Sequence, residues 1–333
     1  MSEELADALA RVLEPVLGSG VSVHNLHLLT GGASRTTYSF DAARGDLRRS
    51  LILRTAPPSE AGQYAGMELE AAAQAAAADA GAPVPQILVA SDSPAALANA
   101  FLICNQIPGE TIVRRIQRQL DDAGRTRLLE QCGQALAAIH RARADAPGLE
   151  PQDQLAQWRQ RLDDMGDTTA TFEWTFRWLA ANRPPSSSNT LVHGDFRMGN
   201  LIVNGLGPSS AAAGPVLAAV LDWELVHLGD IHEDLAWFCI RAWRFGAPAA
   251  LAAGGLGSVD DFIAAYERAG GAAVDRQTLH WWLVLCTLKW GVICRGQAER
   301  HLSGQLRSVE LAAIGRRVCE TEWDLLDLLQ APR

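Results

Sequence analysis

The chain has 333 residues, 48% hydrophobic and 20% charged, which is enough apolar material for a real core in one large domain or two modest ones. Its net charge of −9 argues against non-specific nucleic-acid binding, which needs a basic face, and favours neutral or cationic small molecules only weakly. Six cysteines (Cys104, Cys132, Cys239, Cys286, Cys294 and Cys319) form no C-x-x-C pair and suggest no disulfide framework, so they read as reduced, mostly buried thiols of a cytoplasmic protein.

The N-terminus is acidic and carries no signal-peptide pattern; Leu5, Leu9, Val12, Leu13 and Val16 trace one helical face. Residues 21–55 alternate like strands, interrupted by the turn Thr30-Gly31-Gly32-Ala33-Ser34. The alanine-rich stretch 67–80 predicts a helix ended by Gly81, with Pro83 and Pro85 beyond it. FLICNQI at 101–107 reads as another strand, closed by Pro108-Gly109.

The character then changes. Long helical patterns run over 120–145 and 152–181, followed by a Pro/Ser loop at 183–188. Short strands are expected at Leu201–Val203 and Val216–Leu221, with a flexible low-complexity tip, NGLGPSSAAAGP, between them. The apolar run Trp281–Trp290 contains Lys289 and is too short to span a bilayer, so it predicts a buried helix and no membrane association. All ten tryptophans lie in this second part, and no internal repeat is found. The expected fold is α+β: a small β-rich lobe (1–104), a connector (105–109) and a larger helical lobe (110–333).

Between two β-like runs, LVHGDFRMGNLIV (191–203) places a polar island with Asp195 and, five positions on, Asn200. The second short strand ends in Val220-Leu221-Asp222-Trp223-Glu224. If these runs pair, Asn200 and Asp222 meet at one end of a hairpin. An amide oxygen and a carboxylate there form a hard-oxygen site suited to Mg²⁺, completed by water and phosphates. Asp195 is then free to meet a substrate hydroxyl, the layout phosphoryl transfer needs.

Together with VLDWELVHLGDIHEDLAW (220–237), this stretch resembles the aminoglycoside phosphotransferase-type family of small-molecule kinases, which share the protein-kinase fold. Within it, the chain is most similar to the kinase-like domain fused ahead of some acyl-CoA dehydrogenases. The resemblance runs from the Gly31-Gly32 turn to about Trp323 and is most specific over 191–237. It implies a bilobal fold with ATP and Mg²⁺ as cofactors. Asp195 would orient the acceptor hydroxyl, while Asn200 and Asp222 would be the metal ligands. Arg54 stands where the family often has lysine, and Glu70, eleven residues before Gly81, would pair with it. Gly31, Gly32, Ala33 and Ser34 would cover the nucleotide phosphates, and the backbone of Asn105, Gln106 and Ile107 would form the adenine-binding hinge. His193 is a structural histidine in this reading and Asp234 a brace for the catalytic loop, with Asp230 and Glu233 as further braces.

Other residues stay open at this stage. Arg197 either touches the γ-phosphate or an anionic substrate, or pairs with Glu224 or Glu233. Trp243-Arg244-Phe245-Gly246 would line an acceptor pocket, whereas Trp281, Trp282 and Trp290 belong to the core. Several features depart from protein kinases. The turn lacks a full G-x-G-x-x-G, Trp-Glu follows Asp222, and only eleven residues separate Asp222 from Asp234, too few for an activation segment. The expected activity is Mg-ATP-dependent phosphorylation of a small-molecule hydroxyl, with a hydroxyacyl or other partly apolar alcohol as the acceptor class. The alternatives are an aminoglycoside kinase and a pseudokinase-like nucleotide-binding module.

Overall fold

The computed structural model describes residues 2–29, 35–56, 64–185, 189–206 and 214–330. The turn at 30–34, the serines at 186–188 and most of the hairpin tip lie outside these residues.

Helix α1 (Ser2–Leu17) buries Leu9, Leu13 and Leu17, whereas Val16, counted in its apolar face from the sequence, is half exposed. An antiparallel sheet follows, built from β1 (Ser22–Leu29), β2 (Thr36–Arg44), β3 (Leu47–Ala56), β4 (Ile87–Ser91) and β5 (Ala100–Asn105). Its spatial order is β1-β2-β3-β5-β4. Helix α2 (Met67–Asp79) lies between β3 and β4 in the chain. Strand β5 explains its unbroken FLIC run. Phe101 and Ile103 pack with α1 on one face, and Leu102 and Cys104 pack with Met67 on the other. The small faces of Ala73 and Ala77 are fully buried, and Gly81, with φ of +95°, takes the left-handed conformation that stops α2. Strand β4 was not expected, because its short run between Pro85 and a Ser-Asp-Ser-Pro turn shows no alternation of burial.

The remainder is mainly helical: α3 (Val113–Gln119), α4 (Asp122–Arg141), α5 (Gln154–Asp164) and α6 (Ala170–Ala181) precede the polar island. The pattern expected to run through 152–181 is split in two. Gly166 adopts φ of +66°, and the Thr169 hydroxyl accepts the N–H of Phe172 to start α6 afresh. Two small antiparallel pairs then shape the island. β6 (Thr190–Val192) pairs with β9 (His227–Gly229), and β7 (Leu201–Asn204) pairs with β8 (Val216–Val220). Helices α7 (Ile231–Cys239), α8 (Val259–Arg268), α9 (Arg276–Leu302), α10 (Val309–Gly315) and α11 (Val318–Gln330) complete the chain. Within α9, Trp281, Trp282 and Lys289 are all buried. Among the described residues no helix is long and apolar enough to cross a membrane. Five of the six cysteines are buried; Cys319 is exposed.

Candidate active site

Leu201 pairs with Val220, and the Leu221 N–H donates to the Asn200 carbonyl at 2.8 Å. The hairpin therefore sets Asn200 beside Asp222, as the two runs predict. Asp222 sits at φ of +69°, a left-handed backbone that aspartate tolerates better than most residues. The Asn200 amide donates to the Asp195 carbonyl at 3.0 Å and to its Oδ2 at 2.6 Å. With its NH₂ engaged, Asn200 keeps an oxygen to offer.

The Asp195 carboxylate is held on both oxygens. Arg197 Nε lies 3.0 Å from Oδ1 and 3.1 Å from Oδ2, and Trp237 Nε1 donates to Oδ1 at 2.7 Å. The Arg197 guanidinium also stacks over Trp243 at 4.8 Å. Of the two readings of Arg197, the ion pair is present, but its partner is Asp195 rather than Glu224 or Glu233. Trp243 is buried against Trp237 and Trp290, so its indole backs Arg197.

Behind the loop, buried groups fix the backbone. Asp234 accepts the N–H of His193 at 2.8 Å and that of Gly194 at 2.9 Å, with His140 Nε2 at 3.2 Å. Burial favours the neutral Asp234 carboxyl, but these partners outweigh it and hold its pKa below the ordinary aspartate value. His193 accepts the Asp195 N–H on Nδ1 and faces the Leu221 carbonyl with Nε2 at 3.0 Å. Those partners require a neutral ring with its proton on Nε2, and burial lowers its pKa accordingly. Gly194 adopts φ of +80°, and a Cβ there would meet the Leu225 carbonyl at 2.5 Å. Its own carbonyl accepts from buried Lys289 Nζ at 3.0 Å. Lys289 faces Glu233 at 3.4 Å, and Glu233 also meets His227 at 3.0 Å. Asp230 caps α7 by accepting the His232 N–H.

On the sheet side, Arg54 Nη1 pairs with Glu70 at 3.1 Å and its Nη2 with Asp222 at 2.5 Å. Burial opposes the Arg54 charge, yet Asp222 and Glu70 outweigh it and raise its pKa above the usual guanidinium value. A second arginine, Arg35, holds the other Glu70 oxygen at 3.0 Å, donates to the Ala65 carbonyl and faces Glu224 at 3.6 Å. At the connector, the Asn105 N–H donates to Gln86 and that of Gln106 to Ser50, while Ile107 N–H takes no partner among the described residues. Gly31, Gly32, Ala33 and Ser34 lie outside the described residues.

Among the described residues no group of three or more His, Cys, Asp or Glu side chains forms a metal site. Asn200 and Asp222 instead provide two hard oxygen donors, with Asp222 29% exposed. That set fits Mg²⁺, which keeps waters and phosphate oxygens as its other ligands.

Residues 25–281 match the phosphotransferase enzyme family. The chain belongs to it. Among curated proteins, this phosphotransferase-family chain is 27% identical over 345 residues to the mouse (Mus musculus) acyl-CoA dehydrogenase family member 10. The match covers 96% of the chain but 31% of that relative, so the chain spans about a third of the relative's length. Among solved structures, a candidate aminoglycoside phosphotransferase from Ralstonia eutropha superposes with TM-score 0.76 at 21% identity, over 98% of this chain and 99% of the other. A spectinomycin phosphotransferase in complex with ADP and spectinomycin superposes with TM-score 0.64 at 14% identity, over 98% and 99% of the two chains. These likenesses support the kinase-like fold.

Several groups that hold this family member's site together escape sequence reasoning. Arg35 looks like one more charge after a turn, and Trp237 like one more core tryptophan. Lys289 alone left a signal, a single cation inside the apolar run of α9.

Proposed function

We propose that the protein transfers the γ-phosphoryl group of Mg-ATP to a hydroxyl of a small molecule. One observation carries this reading: the β7–β8 pairing brings Asp222 to Asn200, and Asn200 is bonded to both the backbone and the carboxylate of Asp195, five residues before it. Asp195, fixed by Arg197, Trp237 and Asn200, accepts and orients the acceptor hydroxyl. Little base strength is needed if the transition state is loose. Asn200 and Asp222 would hold Mg²⁺, which when bound neutralises charge on the β- and γ-phosphates. Arg54 moves from Asp222 to phosphate oxygens and stays attached to Glu70. Its planar fork suits that contact in place of a lysine. The free Ile107 N–H is available to adenine.

The acceptor class we favour is a hydroxyacyl compound or another partly apolar alcohol, because the curated relatives include acyl-CoA dehydrogenase family members. The test is ADP release with Mg-ATP over hydroxyacyl-CoAs, hydroxy acids, aromatic alcohols, amino alcohols and aminoglycosides. An acceptor-dependent signal that drops by about 10³-fold in Asp195→Ala supports the reading. A signal unchanged in that variant overturns the role of Asp195. The Arg54–Asp222 contact favours a second reading, a nucleotide-binding module without turnover. Silence across the panel despite tight Mg-ATP binding would select it.

A further inference from the structure

Behind the catalytic loop lies an open cavity of about 310 Å³, lined by α5, the segment after Asp222 and the start of α2. It contains none of Asp195, Asn200 and Asp222. Gln157 and Arg161 stand four residues apart on α5 and so share one helical face, turned to this space. The Arg161 guanidinium stacks on buried Trp158 at 4.5 Å. Among the described residues, neither that guanidinium nor the Gln157 amide has a hydrogen-bond or ion-pair partner.

The other charged groups of the cavity are already engaged. Lys289 holds the Gly194 carbonyl and Glu233. Glu224 faces Arg35 at 3.6 Å. Asp92 caps α2 by accepting the Met67 N–H at 2.6 Å. His227 lies between Glu233 and Gln154. Burial pulls the Arg161 pKa below the ordinary guanidinium value, and only the Tyr64 phenol acts against it. The cavity therefore holds one uncompensated cation and one free amide over an aromatic face, with a second buried cation at its wall. Such an arrangement suits an oxyanion: a planar guanidinium takes a carboxylate or phosphate through two parallel N–H bonds, and an amide four residues away adds a third donor.

We propose that this cavity binds a carboxylate or phosphate group on Arg161 and Gln157. The occupant sits against the loop that carries Asp195, because Leu225 and Lys289, both in the cavity wall, touch Gly194. The net acidity of the chain does not oppose this, since the wall carboxylates Glu224 and Asp92 face Arg35 and the start of α2, and Arg161 is the wall cation without an ion-pair partner among the described residues. The anion has two sources: a free small anion, or the anionic end of the acceptor. The second rests on the proposed phosphotransfer.

The experiment is a calorimetric titration of inorganic phosphate into the full chain at constant ionic strength, with a non-hydrolysable ATP analogue and Mg²⁺ present. Saturable binding is expected, weakened about tenfold or more in Arg161→Gln and a few-fold in Gln157→Ala. Arg159→Gln removes the same charge from the same helix, but Arg159 pairs with Glu173 at 2.7 Å and does not line the cavity, so it should bind like wild type. Equal affinity in Arg161→Gln and Arg159→Gln, or no saturable binding to wild type, overturns the site. If the nucleotide analogue itself fails to bind, the proposed function falls, while the comparison of the two arginine variants keeps its meaning. ADP-release kinetics then separate the sources. Phosphate that raises the acceptor KM at constant kcat marks the acceptor's own anionic end. Phosphate that changes kcat marks a separate effector.

Discussion

The loop carrying Asp195 and the strand end carrying Arg54 hold their charges in opposite ways. Behind the loop, Asp234, His193, Lys289 and Glu233 are all buried, and their partners are other protein groups, most of them buried. At the strand end, the Arg54 and Asp222 side chains are 18% and 29% exposed, and they hold each other at 2.5 Å. The first cluster is closed and fixes one geometry before any ligand arrives, as electrostatic preorganisation requires. The second is a contact to be exchanged, for a ligand can take each partner. Arg35 is the buried anchor of the second cluster. It grips Glu70 from inside the fold and leaves the other Glu70 oxygen to Arg54.

The sharpest way to break this contrast is Asp234→Ala. It leaves the His193 and Gly194 N–H groups and His140 without their acceptor, and should cost about 3 kcal/mol of stability in urea denaturation. A loss no larger than that of an exposed-site variant would show that the loop is not held by this carboxylate. Next comes Gly194→Ala, expected to cost about 2 kcal/mol, because a Cβ meets the Leu225 carbonyl and the backbone is left-handed. A wild-type melting curve for this variant would contradict the packing described. Arg54→Lys should change stability by less than about 1 kcal/mol yet raise the KM for ATP about tenfold, since lysine cannot hold Glu70 and a phosphate with one planar fork. An unaltered KM would remove Arg54 from the nucleotide site.

The smallest expected effect is on pH dependence. Burial holds His193 below its ordinary value of 6.5, so its contribution to stability is complete above that pH and is lost as pH falls toward the lowered value. His227 runs the other way. Burial disfavours its charge, but Glu233 prevails and raises its pKa, so its contribution is complete below 6.5 and is lost as pH rises through the raised value. The urea midpoint should therefore decline on both sides of this region, and His193→Gln should flatten the acid side. An acid limb unchanged in that variant would assign the decline to other groups.

Much of the open cluster was legible in the sequence; of the closed one, the family resemblance pointed to His193 and Asp234 and the sequence reading added Glu233, but the place of Lys289 was not seen. Asp195, Asn200 and Asp222 betray themselves because short β-like runs flank them and pairing follows from those runs. The Arg54–Glu70 pair was implied by the family resemblance, with the spacing of Glu70 from the Gly81 stop in its support. The partners of Asp195 were harder to see. Arg197 pairs with a residue two positions away, a contact set by the 3₁₀ turn Met198–Asn200 rather than by helical spacing. Trp237 and Lys289 reach the loop from α7 and α9, and nothing in a linear pattern marks which buried side chain of a helix meets a particular loop atom. The split of 152–181 into α5 and α6 was missed for a related reason. Thr169 and Gly166 are weak signals beside the strong helical periodicity around them.

The most direct test of the account is calorimetric binding of ATP, with and without Mg²⁺, to wild type, Asp195→Ala and Asp222→Ala. Asp195→Ala should bind Mg-ATP as wild type does, and Asp222→Ala should lose the Mg²⁺-dependent part of its affinity. Mg²⁺-dependent binding that survives intact in Asp222→Ala would contradict it.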